Sequence, residues 1–325
     1  MNNSIVNKLG YIDESLDSSL NLVDEINKLR KEKNAIILAH YYENPEIQDI
    51  ADFVGDSLAL SQKASNVKAD IIVFAGVKFM AETAKILSPS SKVLLPDLNA
   101  GCSLAESCKY EDFKEFISKY PNHKVVTYVN TTADIKSLSD LCCTSSNAIK
   151  VINSIQKEEP IIFAPDRNLG NYLKSITNRE NMIVWDGACH VHDQFSLDKI
   201  LGLKKEFPNA MFIAHPECPK PILLIADFIG STQDLLGFTQ KDSSTEYIVA
   251  TEAGILHQMV KSNPNKKFIP APPNDSTCAC NECSFMKLIT LKKLYLTLKY
   301  ELPEITVDSS LIDLARLPIE RMLKL

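Results

Sequence analysis

Three cysteines occupy equivalent places in the chain, each beyond the end of an apolar run that predicts a short buried strand. They are Cys102, Cys189 and Cys283. The apolar runs cover residues 93–95, 183–185 and 268–269. Three thiolates delivered by three strand tips suit a [4Fe–4S] cluster in which one iron has no protein ligand. Such an open iron can act as a Lewis acid on a carboxylate, carbonyl or hydroxyl group.

The remaining cysteines allow another interpretation. Cys278 and Cys280 form a C-x-C-x-x-C pattern with Cys283, which leaves a local zinc site as an alternative. Cys142 and Cys143 are expected in the middle of a helix, where adjacent residues cannot face the same site. We therefore interpret four cysteines as packing residues, namely Cys108, Cys142, Cys143 and Cys218.

Three hydroxyl side chains stand at or just before expected helix starts, namely Ser57, Ser145 and Thr232. Each of them could simply cap its helix. If the three helix starts converge, their N–H groups and hydroxyls would instead bind carboxylates or phosphate. The shared spacing described below favours anion binding.

Further polar residues follow the first expected strand of each unit. His40, Tyr128 and His215 end those strands, and Tyr42, Asn130 and Glu217 lie two positions further on. Residues two apart in an extended segment point to the same side, so each pair should face one site. His192, three residues beyond Cys189, joins them as a candidate. These side chains offer donors, acceptors and proton-transfer groups. The other histidines, His123, His190 and His257, lack this positional support.

The elements that position these residues repeat three times along the chain. Counting from His40, Tyr128 and His215, an aspartate follows twelve residues later and the hydroxyl residue follows seventeen residues later. The aspartates are Asp52, Asp140 and Asp227, for which we expect a structural role in capping or ion pairing. The three cysteines follow at 62, 61 and 68 residues. A register shared by so many positions indicates an internal triplication.

Each unit alternates strands and helices, which predicts parallel sheets covered on both faces. We predict three pseudo-symmetric, three-layer αβα domains with small parallel sheets around a central iron–sulfur cluster. Functional groups in such sheets gather at the carboxyl ends of the strands. The expected domains are residues 1–107, 108–197 and 198–287. Helices are also expected over residues 5–33 and, interrupted near Pro303, over residues 288–325, where they should pack on the first domain.

Composition limits the possible functions. The chain has 325 residues, 45% of them hydrophobic, and a formal charge of −6, which disfavours nucleic acid or a membrane surface as a partner. No apolar run approaches the roughly 20 residues needed to span a bilayer. The first residues suggest no export signal, so we expect a cytoplasmic protein whose nine cysteines are not a disulfide framework.

Several motifs, taken in order, resemble those of the quinolinate synthase family from about residue 34 to the C-terminus. They are AHYYENPEIQDIADFVGDS, PDLNAGCSLA, YVNTTADIKSLSDLCCTS, FAPDRNLG, WDGACHVHDQF, AHPEC, DFIGST, ATEAGIL and CACNECSFM. The resemblance implies three pseudo-symmetric α/β domains around a [4Fe–4S] cluster. It also implies condensation of iminoaspartate with dihydroxyacetone phosphate to quinolinate, in NAD biosynthesis, with a functional link to an L-aspartate oxidase or dehydrogenase.

The resemblance further implies roles for individual residues. The cluster ligands map onto Cys102, Cys189 and Cys283. The substrate-binding positions map onto His40, Ser57, Tyr128, Asn130, Ser145, His215, Glu217 and Thr232. Tyr42 and His192 match further active-site positions, and we expect Tyr42, His192, His215 and Glu217 to take part in catalysis. One departure is the spacing CxCxxC, where many members have CxxCxxC, which leaves a disulfide between Cys278 and Cys280 in doubt.

Two other functional classes fit part of the pattern. A cluster-dependent hydro-lyase would share the open iron but would not need three anion-binding helix starts. An iron–sulfur carrier or redox sensor would need a fourth protein ligand or an exposed cluster, and would give the strand-end residues no reason to share a register. A radical enzyme is disfavoured because the sequence has no C-x-x-x-C-x-x-C run.

Overall fold

Three small parallel sheets form the framework of the chain. The computed structural model describes residues 6, 8–275 and 281–325. Among these residues, each sheet has four strands and the connecting segments are largely helical. The predicted α/β class and the predicted division into three pseudo-symmetric units are therefore confirmed.

From the first strand onwards, strands and helices alternate in the same order in each unit. The first unit contains α1 (Leu22–Glu32), β1 (Ala35–His40), α2 (Pro45–Ile50), β2 (Phe53–Gly55), α3 (Ser57–Asn66), β3 (Ile71–Ala75), α4 (Lys78–Leu87) and β4 (Lys92–Leu94). Next come α5 (Ser103–Glu106), α6 (Tyr110–Ser118), β5 (Lys124–Tyr128), α7 (Ala133–Ser137), β6 (Leu141–Cys143), α8 (Ala148–Ser154), β7 (Ile161–Ala164), α9 (Arg167–Ile176) and β8 (Met182–Val184). The third unit contains α10 (Leu197–Glu206), β9 (Met211–Ala214), α11 (Lys220–Leu223), β10 (Phe228–Ile229), α12 (Thr232–Lys241), β11 (Glu246–Ala250), α13 (Ile255–Ser262) and β12 (Lys267–Pro270).

The three sheets share one strand order. It is β2-β1-β3-β4 in the first sheet, β6-β5-β7-β8 in the second and β10-β9-β11-β12 in the third, with every pair of strands parallel. In each sheet the first strand lies in the interior, and the chain leaves it on one side and returns on the other. The crevice beyond the carboxyl ends of such strands is where α/β sheets bind ligands.

One short strand in each unit was not predicted from sequence. These strands, β2, β6 and β10, lie at sheet edges. Cys142 and Cys143 lie in β6 rather than in the middle of a helix, where we expected them. A strand of two or three residues is too short to show an alternating pattern, so its partner in the sheet decides its conformation. The packing role predicted for both cysteines holds, because both are fully buried.

The repeated aspartates tie each first strand to the segment before its edge strand. Each carboxylate accepts a hydrogen bond from a backbone N–H fifteen residues earlier, at 2.7–2.8 Å. The pairs are Ile37 with Asp52, Val125 with Asp140, and Phe212 with Asp227. Each aspartate also forms an ion pair within its own unit, with Arg30, Lys124 or Lys204. The structural role predicted for these aspartates is confirmed.

The third sheet illustrates why its strands are continuous apolar runs. Phe212 and Ile248 lie in one buried cluster, whereas their neighbours Ile213 and Val249 lie in another. Alternate residues of a strand point to opposite faces, so both faces of this sheet are covered.

The ends of the chain differ in part from expectation. Of the helices predicted over residues 5–33, α1 is present, but residues 11–21 are not helical. The tail forms α14 (Leu291–Tyr300) and α15 (Ser309–Leu323), separated near Pro303 as predicted. Helix α14 packs on α1, while α15 lies against α7 and β6 of the second unit as well as α4 of the first. Among the described residues, no helix is both long and apolar enough to cross a bilayer.

Candidate active site

The carboxyl ends of the three sheets open into one cavity with an empty volume of about 670 Å³. Every described side chain that was singled out from sequence as a cluster ligand, substrate-binding group or catalytic group lines it. These residues are His40, Tyr42, Ser57, Cys102, Tyr128, Asn130, Ser145, Cys189, His192, His215, Glu217, Thr232 and Cys283. The structure thus brings together residues that are up to 243 positions apart in the sequence.

Three cysteines, one from each unit, contribute sulfur to this cavity. All three are free thiols in the chain, and burial raises the pKa of Cys102 to about 12 and that of Cys283 to about 11. Burial also raises the pKa of Cys189 well above its usual value. Metal coordination removes such protons, so buried neutral thiols are compatible with a metal centre. Three sulfur donors, one from each unit, fit a [4Fe–4S] cluster with one iron lacking a protein ligand.

The other cysteines do not join this donor set within the described part of the chain. The four cysteines that were assigned to packing from the sequence do not line the cavity. All four are buried elsewhere, namely Cys108, Cys142, Cys143 and Cys218. Cys278 and Cys280, on which the zinc alternative depends, lie outside the described residues. That alternative therefore stays a hypothesis.

The three hydroxyl residues face the cavity because other residues cap their helices. Asp56 caps α3 and Ser231 caps α12, so Ser57 and Thr232 occupy the first helical position. Ser145 lies in the turn between β6 and α8, whose N-cap is Asn147. The alternative that these hydroxyls are themselves N-caps is wrong for all three.

The histidines at the ends of β1 and just after β9 are held in the same way. The Tyr42 backbone N–H donates to His40 Nδ1 at 3.2 Å, and the Glu217 N–H donates to His215 Nδ1 at 3.3 Å. A ring nitrogen that accepts is unprotonated, so the proton of each neutral ring lies on Nε2. Burial lowers the pKa of both histidines to about 3, which keeps the rings neutral in the neutral pH range.

Glu217 provides a buried carboxylate that contacts several of the polar groups. Tyr128 donates its hydroxyl proton to Oε1 at 2.6 Å, and His192 Nδ1 lies 3.1 Å from Oε2. Burial by itself would raise the pKa of Glu217, but His192, His215 and the hydrogen bonds lower it to about 2. The carboxylate is therefore ionised and available as a proton acceptor.

Tyr42 is held through its hydroxyl by two threonines. Its oxygen lies 2.6 Å from Thr232 Oγ1 and 2.9 Å from Thr251 Oγ1. Thr251 Oγ1 also lies 3.0 Å from His192 Nε2, which joins Tyr42 and His192 to one network. Burial raises the pKa of Tyr42 well above its usual value, so the phenol stays protonated and can donate.

Contacts within this network cross the boundaries between units. Tyr42 of the first unit bonds to the third, and Tyr128 of the second unit bonds to Glu217 of the third. His215 returns to the second unit, with Nε2 3.1 Å from Ser145 Oγ. The geometry of the site therefore depends on how the three sheets are packed together.

Several residues of the site were not singled out from sequence. Glu252 accepts the backbone N–H of Cys283 at 3.0 Å and forms an ion pair with Lys287 at 3.1 Å. The Lys287 ammonium also donates to the Tyr42 carbonyl at 2.6 Å. The sequence contained a signal for Glu252, because it lies two residues after the end of β11 and so stands at the carboxyl end of a strand.

His190 also lines the cavity, although its position in the sequence gave it no support. Its Nδ1 lies 2.8 Å from Ser103 Oγ, which joins the residue after Cys189 to the residue after Cys102. His257, by contrast, pairs with Asp49 and does not line the cavity. Proximity to a cysteine in sequence was the available signal for His190.

Comparison with known proteins identifies the family. Residues 24–324 match the family described as Quinolinate synthetase A protein. The chain is 58% identical over 304 residues to a quinolinate synthase of Rippkaea orientalis, which covers 94% of this chain and 93% of the relative. It is 57% identical to one of Gloeothece citriformis, with 94% of each chain covered, and 54% identical to one of Chloroherpeton thalassium, with 95% of each covered. The chain therefore belongs to the quinolinate synthetase A protein family, which is a family of enzymes.

Proposed function

We propose that the chain condenses iminoaspartate with dihydroxyacetone phosphate to give quinolinate, phosphate and water, as a step of NAD biosynthesis. The observation that carries this proposal is the single cavity in which three thiols, three hydroxyls near helix starts and a histidine–glutamate network meet. The relatives are quinolinate synthases, which supports quinolinate as the product. The cytoplasm is the compartment we propose, since it supplies reduced thiols.

Hydrogen-bond donors in the cavity would hold the anionic groups of the substrates. Ser57 and Thr232 each combine a hydroxyl with the positive end of a ten-residue helix, α3 or α12. Such positions favour carboxylate and phosphate groups. Asn130 would bind a polar substrate group, because its buried Oδ1 has no hydrogen-bond partner among the described residues. His40, Tyr128 and Ser145 complete the proposed binding set.

Glu217 would accept a proton during the isomerisation and dehydration steps. It is ionised, buried and connected to the protonated hydroxyl of Tyr128, through which charge on the carboxylate is stabilised. His192 and His215 lie beside this carboxylate and Tyr42 is joined to His192 through Thr251, so these three residues would donate or relay protons. Proton transfer by positioned side chains contributes roughly 10²–10⁴-fold to rates.

Cys102, Cys189 and Cys283 would hold a [4Fe–4S] cluster. When bound, its open iron supplies Lewis-acid chemistry toward substrate oxygens.

The substrate iminoaspartate requires an enzyme that oxidises L-aspartate, so we propose a functional link to an L-aspartate oxidase or dehydrogenase. We propose no nucleic acid and no membrane as a partner.

The experiment is anaerobic reconstitution followed by measurement of iron, sulfide and quinolinate formation. Cysteine-to-serine variants at positions 102, 189 and 283 should lose the four-iron centre and the activity. The matched controls Cys142→Ser and Cys218→Ser, which are buried outside the cavity, should keep both. A cluster that requires a fourth cysteine would contradict the open iron, and dehydration of a hydroxy acid without quinolinate formation would favour the hydro-lyase.

A further inference from the structure

Three different metal-binding side chains meet in one corner of the cavity. One donor atom each from Cys189, His192 and Glu217 lies within 4.8 Å of the other two. His192 and Glu217 are almost completely buried, at 2% and 3% exposed. A thiolate, an imidazole and a carboxylate are the ligand types that zinc prefers, and three such ligands with one open position are typical of its reactive sites.

The orientation of His192 provides an independent indication of a cation. Its Nδ1 lies 3.1 Å from Glu217 Oε2, yet this buried nitrogen makes no well-directed hydrogen bond with any described residue. The other ring nitrogen, Nε2, lies 3.0 Å from Thr251 Oγ1. With Nε2 directed at Thr251, Nδ1 faces Glu217 Oε2, and a cation held between these two atoms would bind both of them.

The three ligands are also held in place from outside. The Asp193 N–H donates to the Cys189 carbonyl at 2.9 Å, which forms a turn that brings Cys189 and His192 together. Tyr128 holds the other oxygen of Glu217 at 2.6 Å, and Thr251 holds the other nitrogen of His192. Outer hydrogen bonds of this kind fix the orientation of metal ligands and strengthen binding.

We propose that the cluster-free chain binds one zinc-type divalent cation through Cys189, His192 and Glu217, with the fourth position open to the cavity. Zinc lies about 2.0–2.3 Å from its ligands, so the distances between the three donor atoms need to shorten by only about 1 Å when it binds. Because Cys189 is also a proposed cluster ligand, the cation and the cluster exclude each other. Zinc thereby blocks cluster assembly and occupies two proposed proton-transfer groups. This consequence rests on the proposed function, whereas the cation site itself does not.

Cobalt(II) is the probe, because its visible spectrum reports coordination where zinc is silent. The cluster-free full chain is titrated anaerobically with cobalt(II), and bound cobalt is then displaced with zinc. We expect one cobalt per chain, with the absorption of a single thiolate ligand. The variants Cys189→Ser, His192→Gln and Glu217→Gln should each weaken binding at least tenfold, roughly the effect of losing an outer partner.

Matched controls separate this site from other arrangements. Cys102→Ser and Cys283→Ser remove cavity thiols outside the trio and should bind cobalt like the parent chain. Glu217→Asp keeps a carboxylate and should retain more affinity than Glu217→Gln, and circular dichroism shows whether each variant folds. The proposal would be overturned if cobalt binding depended on Cys102 and Cys283, if it depended on Cys278 or Cys280, or if no cobalt bound. None of these results depends on quinolinate formation, which tests the proposed function separately.

Discussion

The neighbours of each buried carboxyl group in this protein decide whether that group is ionised or protonated. Glu217 is ionised because His192 and His215, with a smaller contribution from Tyr128, lower its pKa, whereas burial raises the pKa of Glu252 despite the ammonium of Lys287 beside it. Glu43 is fully buried, and neither of its oxygens has a hydrogen-bond partner among the described residues. Burial raises the pKa of Glu43 well above its usual value, so this carboxyl is protonated.

Replacement of Glu217 tests the proposed proton transfer. Glu217→Gln keeps the size and the contact with Tyr128 but removes the proton acceptor. We expect quinolinate formation to fall by roughly 10²–10⁴-fold while iron and sulfide per chain remain unchanged. Full turnover with an intact cluster would remove Glu217 from the mechanism.

Replacement of Lys287 tests the buried ion pair that links Cys283 to Tyr42. Lys287→Met leaves Glu252 without its partner, and breaking a buried pair in this way costs about 3 kcal/mol of unfolding free energy. The double variant with Glu252→Gln should recover much of that loss, as urea denaturation of the cluster-free chain would show. Glu43→Gln, in the same buried region but outside the ion pair, is the matched control and should change stability by less than about 1 kcal/mol. Equal losses in the single and double variants would argue against the pairing.

At the scale of elements, hydrogen bonds from side chains to backbone and ion pairs hold the strands and helices in register. The three aspartates bind the backbone of the first strand in every unit, and Asp56 and Ser231 leave Ser57 and Thr232 free to face the cavity. The tail is anchored in a similar way. Glu301 follows α14 and binds Lys33 after α1 and Lys92 of β4.

Glu301 gives the chain a stability that depends on pH. Hydrogen bonds from Lys33 and Lys92 lower its pKa from 4.5 to about 2. A lowered carboxyl pKa stabilises the fold above pH 4.5, and this contribution is lost as the pH falls toward 2. The site is partly exposed, so we expect Glu301→Gln to cost about 1 kcal/mol at pH 7.

The measurement is urea denaturation of the cluster-free chain and of the Glu301→Gln variant between pH 7 and pH 4. The difference in unfolding free energy should narrow once the pH is below about 4.5, because the Glu301 carboxyl of the unfolded parent chain then takes up a proton while the folded chain keeps it ionised. A difference that stays constant over this range would show that the ion pairs do not stabilise the tail.

At the scale of the whole molecule, the three units meet at one cavity, and the polar network that lines it crosses every boundary between them. Ser103 and His190 join the first and second units, Tyr128 and Glu217 join the second and third, and Tyr42 joins the first to the third. A group bound by one cysteine from each unit would stabilise this arrangement further.

Removal of the cluster should therefore weaken the whole fold rather than one unit. A ligand that binds only the folded chain stabilises it by mass action, so the reconstituted protein should melt at a higher temperature than the cluster-free protein. Anaerobic calorimetry before and after chelation measures the difference. An unchanged melting temperature would contradict a cluster held jointly by the three units.

The sequence by itself determined the class of fold, the threefold repeat and the identity of the thirteen candidate residues that line the cavity. This was possible because apolar runs, helix starts and strand ends are local patterns, and their repetition in register reinforced each of them. The edge strand that contains Cys142 and Cys143 was missed because two or three residues show no periodicity before they pair with a neighbour.

Only the tertiary structure decided which groups touch. The ionisation of Glu217 depends chiefly on His192 and His215 and also on Tyr128, which is 89 positions away in the sequence. The position of the Cys283 backbone depends on Glu252, which is itself paired with Lys287. The meeting of Cys189, His192 and Glu217 likewise requires the second and third units to pack together. Distance and burial set the pKa values and contacts of these groups, and both arise from packing between units that no local pattern in the sequence encodes.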